Sequence, residues 1–397
     1  MKNGSRIVDI DTHVQPAMEV LQRYAGAELN ERWGELKPYF RELPPRPDVG
    51  DYEHPTTDLS VAPYRYAREF GQPAEAETQV AGGKSALTGR VVAVNVEGPG
   101  IGIMHDNSAG RLKAMDREGV DVHVIISGTF AAASTALDPS LSREIVAAYN
   151  RYIIDYCSAD PTRLKAAMIV TGADPEWSAR TIRKQAGEQC FAAVNLLLPQ
   201  DLPIDDPALE PILSAMNEEN LGILHHSFFY EPPYFPGYRD VWDNVVVARS
   251  AAHPWGAQRL VAYLVLAGLF DRYPNLRIGF AEVGAGWLPF WMKRLRAQEE
   301  YMRAAVPDLK HDPVEYAQLG HIFSGLELYE GEDILRGIVS VLGDGVAMYQ
   351  SDFPHPQCNF PNSPDDALSW DWDTIAEGDK TKKRFFSENA ENFLRMT

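Results

Sequence analysis

The sequence is poor in cysteine and in positive charge. Only three cysteines occur in 397 residues (Cys157, Cys190 and Cys358), far apart and without Cys-x-x-Cys spacing. That excludes a disulfide framework and suits a reducing compartment. Against 56 acidic residues stand 37 basic ones, a net charge of −19, so a nucleic-acid or anionic-membrane partner is not expected. The start of the chain shows no basic region leading into an apolar run, so no secretory leader is expected. The longest apolar run, LVAYLVLAGLF at 260–270, is too short to cross a bilayer. No glycine-rich phosphate loop follows the first predicted strand, and internal repeats and low-complexity tracts are missing too. The expectation is a soluble, cytoplasmic protein.

What is present is a regular alternation. Apolar runs predict strands near 7–13, 121–127, 165–171, 191–198, 222–227, 277–283, 321–326 and 346–352. Helical patterns fall between them, near 140–158, 175–187, 207–219, 255–272, 287–304, 331–341 and 381–394. Eight strands alternating with helices predict an α/β protein of the (β/α)8 TIM barrel class rather than a doubly wound sheet. The chain reads as one barrel domain over 1–397, with 16–110 a long cap-like insertion after the first strand. A second long connection, 228–254, follows the fifth strand and is rich in aromatics, among them Phe228, Tyr230, Tyr234 and Trp242. Long loops in compact domains are usually functional or disordered. With the proline-rich stretch at 39–63, the aromatic loop is expected to roof a deep apolar pocket.

The opening stretch RIVDIDTHVQP carries the first chemical signal. In a strand, alternate residues share a face, so Asp9, Asp11, His13 and Gln15 are expected in one row, costly to bury unless a metal ion satisfies them. Further polar residues collect at the ends of later predicted strands: His225 and His226 in LGILHHSF, Glu282 in IGFAEVGAGW, and Asp352 with His355 in SDFPHP. His253 stands in AAHPWG, where the fifth loop enters its helix. Each alone has an ordinary structural explanation; a histidine is commonly just hydrogen-bonded, and Glu282 could pair with Arg294. Together, at one end of different strands, they are what a barrel metal site requires. His225 and His226 cannot both face inward on a regular strand, and His226 is the preferred one.

These stretches, DIDTHVQP, GILHHS, HPWGAQRLVAYLVLAGLFDRYPNLRIGFAEVGAGWLPFWMKRL and SDFPHP, resemble the amidohydrolase superfamily, in the branch that contains aminocarboxymuconate-semialdehyde decarboxylase. The resemblance implies metal positions at His13, at His226 (or His225) and at Asp352. Gln15 stands where that pattern is taken to hold a second histidine, and Glu282 where the decarboxylases have one. A set of histidine and carboxylate is the chemistry of nonheme iron. The departures therefore resemble the TIM-barrel nonheme diiron monooxygenases of the platensimycin and platencin pathway type.

That resemblance implies two iron ions with dioxygen as cosubstrate and an external electron donor or reductase. Its substrate would be a bulky, terpenoid-like acyl group carried on coenzyme A. The implied metal ligands are His13, Gln15, His226, His253, Glu282 and Asp352, with Glu282, Asp352 and His355 acting on the substrate and Asp11 orienting a ligand. Arg65, Lys84, Arg90 and Arg111 are candidates for the coenzyme A phosphates. The alternative is a mononuclear zinc or manganese decarboxylase or hydrolase, in which Asp352 or Glu282 handles the proton. A third reading is a metal-free barrel with a decayed site. A homo-oligomer is compatible with all three.

Overall fold

The computed structural model describes residues 1–14, 16–43, 56–59, 83–84, 91–92, 107–127, 137–199, 202–226, 245–355 and 358–396. Its centre is one eight-stranded sheet in which every pairing is parallel and the strands follow one another in chain order. The strands are β1 (Val8–His13), β2 (Val122–Ile126), β3 (Leu164–Thr171), β4 (Phe191–Leu197), β5 (Gly222–His226), β6 (Ile278–Ala281), β7 (Ile322–Leu326) and β8 (Ala347–Tyr349). A bridge from Thr12 to Phe353 and a hydrogen bond from His13 N to Phe353 O at 2.7 Å join the first strand to the segment after the last. The sheet thus curls into the expected TIM barrel.

Near-continuous apolar strands are what a sheet covered on both faces demands, and all eight are buried almost throughout. The outer faces pack on helices α1 (Ser108–Glu118), α2 (Pro139–Cys157), α3 (Pro175–Gln185), α4 (Glu210–Glu218), α5 (Val245–Leu266), α6 (Leu288–Tyr301) and α7 (Gly331–Leu342). Several helices begin where short polar residues dictate. Asn107, Asp138 and Asp174 accept hydrogen bonds from the first free amides of α1, α2 and α3, and proline fills the first turn of α2 and α3. Helix α5 departs from expectation. Pro254 looks like a helix start, yet the helix begins at Val245 and carries Pro254 inside it, so His253 lies within the helix rather than at its entry.

Inside the barrel, Val8, Ile10, Val124, Leu224, Ala281, Phe323 and Met348 form a smaller cluster with Phe393 of the last helix, α8 (Asn389–Leu394). Phe393 is wholly buried at the end where the strands start. Two glycines make room for its ring. A Cβ on Gly222 would lie 2.7 Å from Phe393, and one on Gly279 2.8 Å. The buried Arg277 fastens the plug, donating to Phe393 O and, at 2.8 Å, to Asn220 O. One end of the barrel is therefore stoppered, leaving the opposite mouth for chemistry.

Candidate metal centre

The row of polar side chains on β1 is broken by its pairing with β2. Asp9 pairs with His123 and Thr12 with Ile125, so β1 carries one more residue than its partner between these points. An extra residue of this kind is a bulge, and it re-aims the side chains beyond it. Val8 and Ile10 therefore join the inner apolar cluster, and Asp9 is turned away to accept from Ser351 N at 3.0 Å and Ser351 Oγ at 2.5 Å. Asp11 and His13 lie past the bulge and face each other across 3.2 Å. The expected four-residue row is corrected accordingly, and its last member, Gln15, lies outside the described residues.

Four other strand ends bring their groups to His13. Asp352 Oδ1, beyond β8, lies 3.0 Å from His13 Nε2, and His355 Nδ1 lies 2.7 Å from the same carboxylate oxygen. On β5, His226 turns inward. Its Nε2 is 3.0 Å from Glu282 Oε2 and 3.9 Å from Asp11 Oδ1. His225 points the other way, its ring edge against Phe280 with centroids 5.9 Å apart. Glu327, at the end of β7, is buried beside the same cluster. Glu282 (φ 53°) and Asp352 (φ 59°) both occupy the left-handed region, which is uncommon for residues with a side chain and costs backbone strain.

The electrostatics of the cluster favour positive charge. Burial alone would favour neutral His13, but the close approach of the Asp11 and Asp352 carboxylates outweighs it and holds the imidazole well above its ordinary range. His355 is likewise raised by Asp352 despite its burial. Glu327 is pushed well above the usual carboxylate range by burial first, then by Asp352, Glu282 and Asp11. A cluster that draws protons in this way attracts cations generally. Both carboxylate oxygens of Asp11 are buried without a well-formed hydrogen bond, as is His13 Nε2. Ligand atoms of His13, Glu282, Asp352 and His355 lie within 4.8 Å of one another, as do those of Asp11, His13 and His226. Mixed imidazole and carboxylate at this spacing fit a divalent cation of intermediate hardness.

Behind the cluster sits a cation that sequence reasoning placed elsewhere. Arg111, expected at a coenzyme A phosphate, is fully buried on α1. It donates to the His13 carbonyl, approaches His123 Nδ1 at 3.1 Å and lies 5.0 Å from the centre of the Phe353 ring. A side chain so enclosed cannot meet a bound phosphate. The side chains of Arg65, Lys84, Arg90 and His253 lie outside the described residues, as do the aromatic loop at 228–242 and most of 39–63. Of the other expected residues, the structure gathers His13, His226, Glu282, Asp352 and His355. It adds Asp11 as a direct neighbour and Glu327, which had not been singled out. Its carboxylate in LELYEGED looks like an ordinary helix-start acid, so no sequence signal marks it.

Comparisons with known proteins give the geometry a context. The amidohydrolase family model matches residues 106–396. The gamma-resorcylate decarboxylase of Polaromonas sp. (strain JS666 / ATCC BAA-500) is 23% identical over 296 residues, covering 72% of this chain and 86% of the relative. The 2-amino-3-carboxymuconate-6-semialdehyde decarboxylase of Dictyostelium discoideum is 25% identical over 264 residues, covering 62% of this chain and 66% of the relative. Among solved structures, 5-carboxyvanillate decarboxylase from Novosphingobium aromaticivorans DSM 12444, complexed with manganese and 4-hydroxy-3-methoxy-5-nitrobenzoic acid, matches with a TM-score of 0.63 at 19% identity. That match covers 99% of this chain and 97% of the other; at this identity it establishes the fold alone. Both curated relatives are decarboxylases. The expected diiron monooxygenase, with its two irons, dioxygen, reductase and coenzyme A substrate, is thereby corrected. The expectation of iron rested on Gln15, which lies outside the described residues, and on Glu282, which does join the cluster. Among the described residues no helix is long and apolar enough to cross a membrane.

Proposed function

The chain belongs to the amidohydrolase family, and from that premise we propose that it is a metal-dependent, non-oxidative decarboxylase of an aromatic or conjugated carboxylic acid. The observation that carries this reading is a pair of buried ligand clusters that share His13, one with Glu282, Asp352 and His355 and the other with Asp11 and His226. These residues would hold one divalent ion, manganese being the first choice because the 5-carboxyvanillate decarboxylase structure contains it. Such an ion would supply the positive charge that draws in and orients the acid's oxygens. The whole chain is read as one barrel domain, with 16–110 an insertion after the first strand.

The protein's own groups account for the proton that decarboxylation consumes. Asp352 and His355 share a 2.7 Å contact, and the proton they hold is offered at His355, whose affinity for it is raised by the Asp352 charge. In the proposed step that proton forms a new C–H bond at the carbon bearing the carboxylate. The C–C bond then breaks, its electrons return to the conjugated system, carbon dioxide leaves, and Asp352 and His355 together recover one proton from solvent. No oxidant or reductant enters the balance.

The test is metal analysis together with carbon dioxide release. Metal-depleted protein would be reloaded with manganese or zinc and offered hydroxybenzoates with an ortho carboxylate, 5-carboxyvanillate, and 2-amino-3-carboxymuconate-6-semialdehyde. Stoichiometric carbon dioxide from one of these, lost in His355→Asn and in Asp352→Asn, is the expected result. A fully loaded protein that releases none, or that instead hydrolyses amides or esters in the same assay, overturns the reading.

A further inference from the structure

We propose that Glu330 is a positioning residue for Glu282, holding that carboxylate in the centre by clamping the turn that follows it; the functional consequence rests on Glu282 belonging to the metal site. Glu330 ends a short turn of 3-10 helix after β7 (Leu328–Glu330). Its side chain leaves that turn and reaches the loop after β6. The two carboxylate oxygens accept from Ala285 N at 2.9 and 3.2 Å, from Gly286 N at 2.8 Å and from Glu327 N at 3.0 Å. One anion thus satisfies amides from two adjacent strand ends, and hydrogen bonds to a charged acceptor are the stronger kind.

The loop it grips is strained and held from its other side as well. Glu282 has φ 53° and Gly284 φ 69°, so the chain reverses sharply just beyond the Glu282 side chain. Gly284 O accepts from Ser324 Oγ and from Trp287 Nε1, both at 2.9 Å. Gly286 is the residue that lets the carboxylate approach. A Cβ there would lie 2.9 Å from Glu330 Oε1 and 2.8 Å from Ile334 Cγ2. Because the same carboxylate binds the amide of Glu327, it also fixes the two buried acids Glu282 and Glu327 relative to each other. Groups that orient a ligand from behind commonly change metal affinity or activity when removed.

The experiment pairs manganese titration calorimetry with amide hydrogen exchange on metal-depleted protein. Glu330→Ala should weaken manganese binding by about 10- to 100-fold and speed exchange at Ala285, Gly286 and Glu327. In a Glu282→Gln background the same change should lower affinity by less than about threefold, because the group it positions is gone. Gly286→Ala, which crowds the carboxylate off its amides, should reproduce both effects if Glu330→Ala folds poorly. Unchanged exchange at Ala285 and Gly286 overturns the clamp whatever the metal does. An equal loss of affinity in both backgrounds overturns the positioning role and leaves a general effect on the fold. If Glu282→Gln alone binds manganese as the parent does, the ligand reading of Glu282 fails, and the exchange data still decide the clamp.

Discussion

Replacing Glu282 by glutamine should move stability and metal affinity in opposite directions. Carboxylate oxygens of Glu282 and Asp352 lie within 4.8 Å of each other in a buried site. At an effective dielectric of about 20, two like charges at that distance repel by about 3.5 kcal/mol. Part of this is offset by the contact of Glu282 Oε2 with His226 Nε2 at 3.0 Å, a charge-assisted interaction worth about 1.5–3 kcal/mol. An isosteric amide removes the repulsion and keeps a weaker form of the contact. The metal-free variant should therefore gain about 1–2 kcal/mol. For a chain of 397 residues, the unfolding entropy near Tm is about 0.8 kcal/mol/K, so the gain corresponds to about 1–2 °C. Differential scanning calorimetry in the presence of a chelator measures it. Manganese affinity, by titration calorimetry, should fall at least tenfold, on the order of 1.4 kcal/mol or more. A variant that melts lower without metal and binds manganese unchanged would refute the idea that carboxylate crowding prepares this site for a cation.

Other outcomes follow from the same geometry. His226→Ala should abolish tight manganese binding, while His225→Ala, which removes an outward-facing ring with its pKa lowered by burial to about 3, should leave affinity within about threefold; the two titrations run side by side. Phe393→Ala should cost about 3–5 kcal/mol in urea unfolding, near the top of that range, because Gly222 and Gly279 offer no side chains to fill the void. Glu327 is raised by burial and then by neighbouring carboxylates, so the folded state binds its proton more tightly than the unfolded chain does. Its ionisation therefore weakens the metal-free fold as pH rises above about 4.5. Glu327→Gln should flatten that decline, as read from Tm against pH in chelator.

The barrel was legible because short, mostly apolar runs recur between helical patterns along the chain, and that order survives whatever the loops do. His226 was legible for a related reason, since adjacent strand residues must face opposite ways. The bulge in β1 was not. An extra residue exists only relative to the partner strand, and nothing in VDIDTH announces it. Strict alternation therefore put Asp9 in the row, whereas the bulge turns it away to Ser351. Arg111 was expected at a coenzyme A phosphate because it lies near the presumed cap in sequence. Its burial follows from how α1 packs beneath the end of β1, a tertiary fact. Glu330 escaped notice because acids are ordinary in the first turn of a helix, and only the approach of the 284–286 turn gives this one a task.

The stopper at Phe393 has a meaning for traffic as well as for stability. A barrel closed at one end is a cul-de-sac, so reactant and products of the proposed decarboxylation share a single route. Carbon dioxide, small and uncharged, can slip past a bound ring, whereas the ring itself must back out along the path it entered. The decarboxylated ring is then the last species to leave and meets incoming acid at the same vacant enzyme. Its inhibition should be competitive with the acid, and added bicarbonate should leave the apparent KM nearly unchanged.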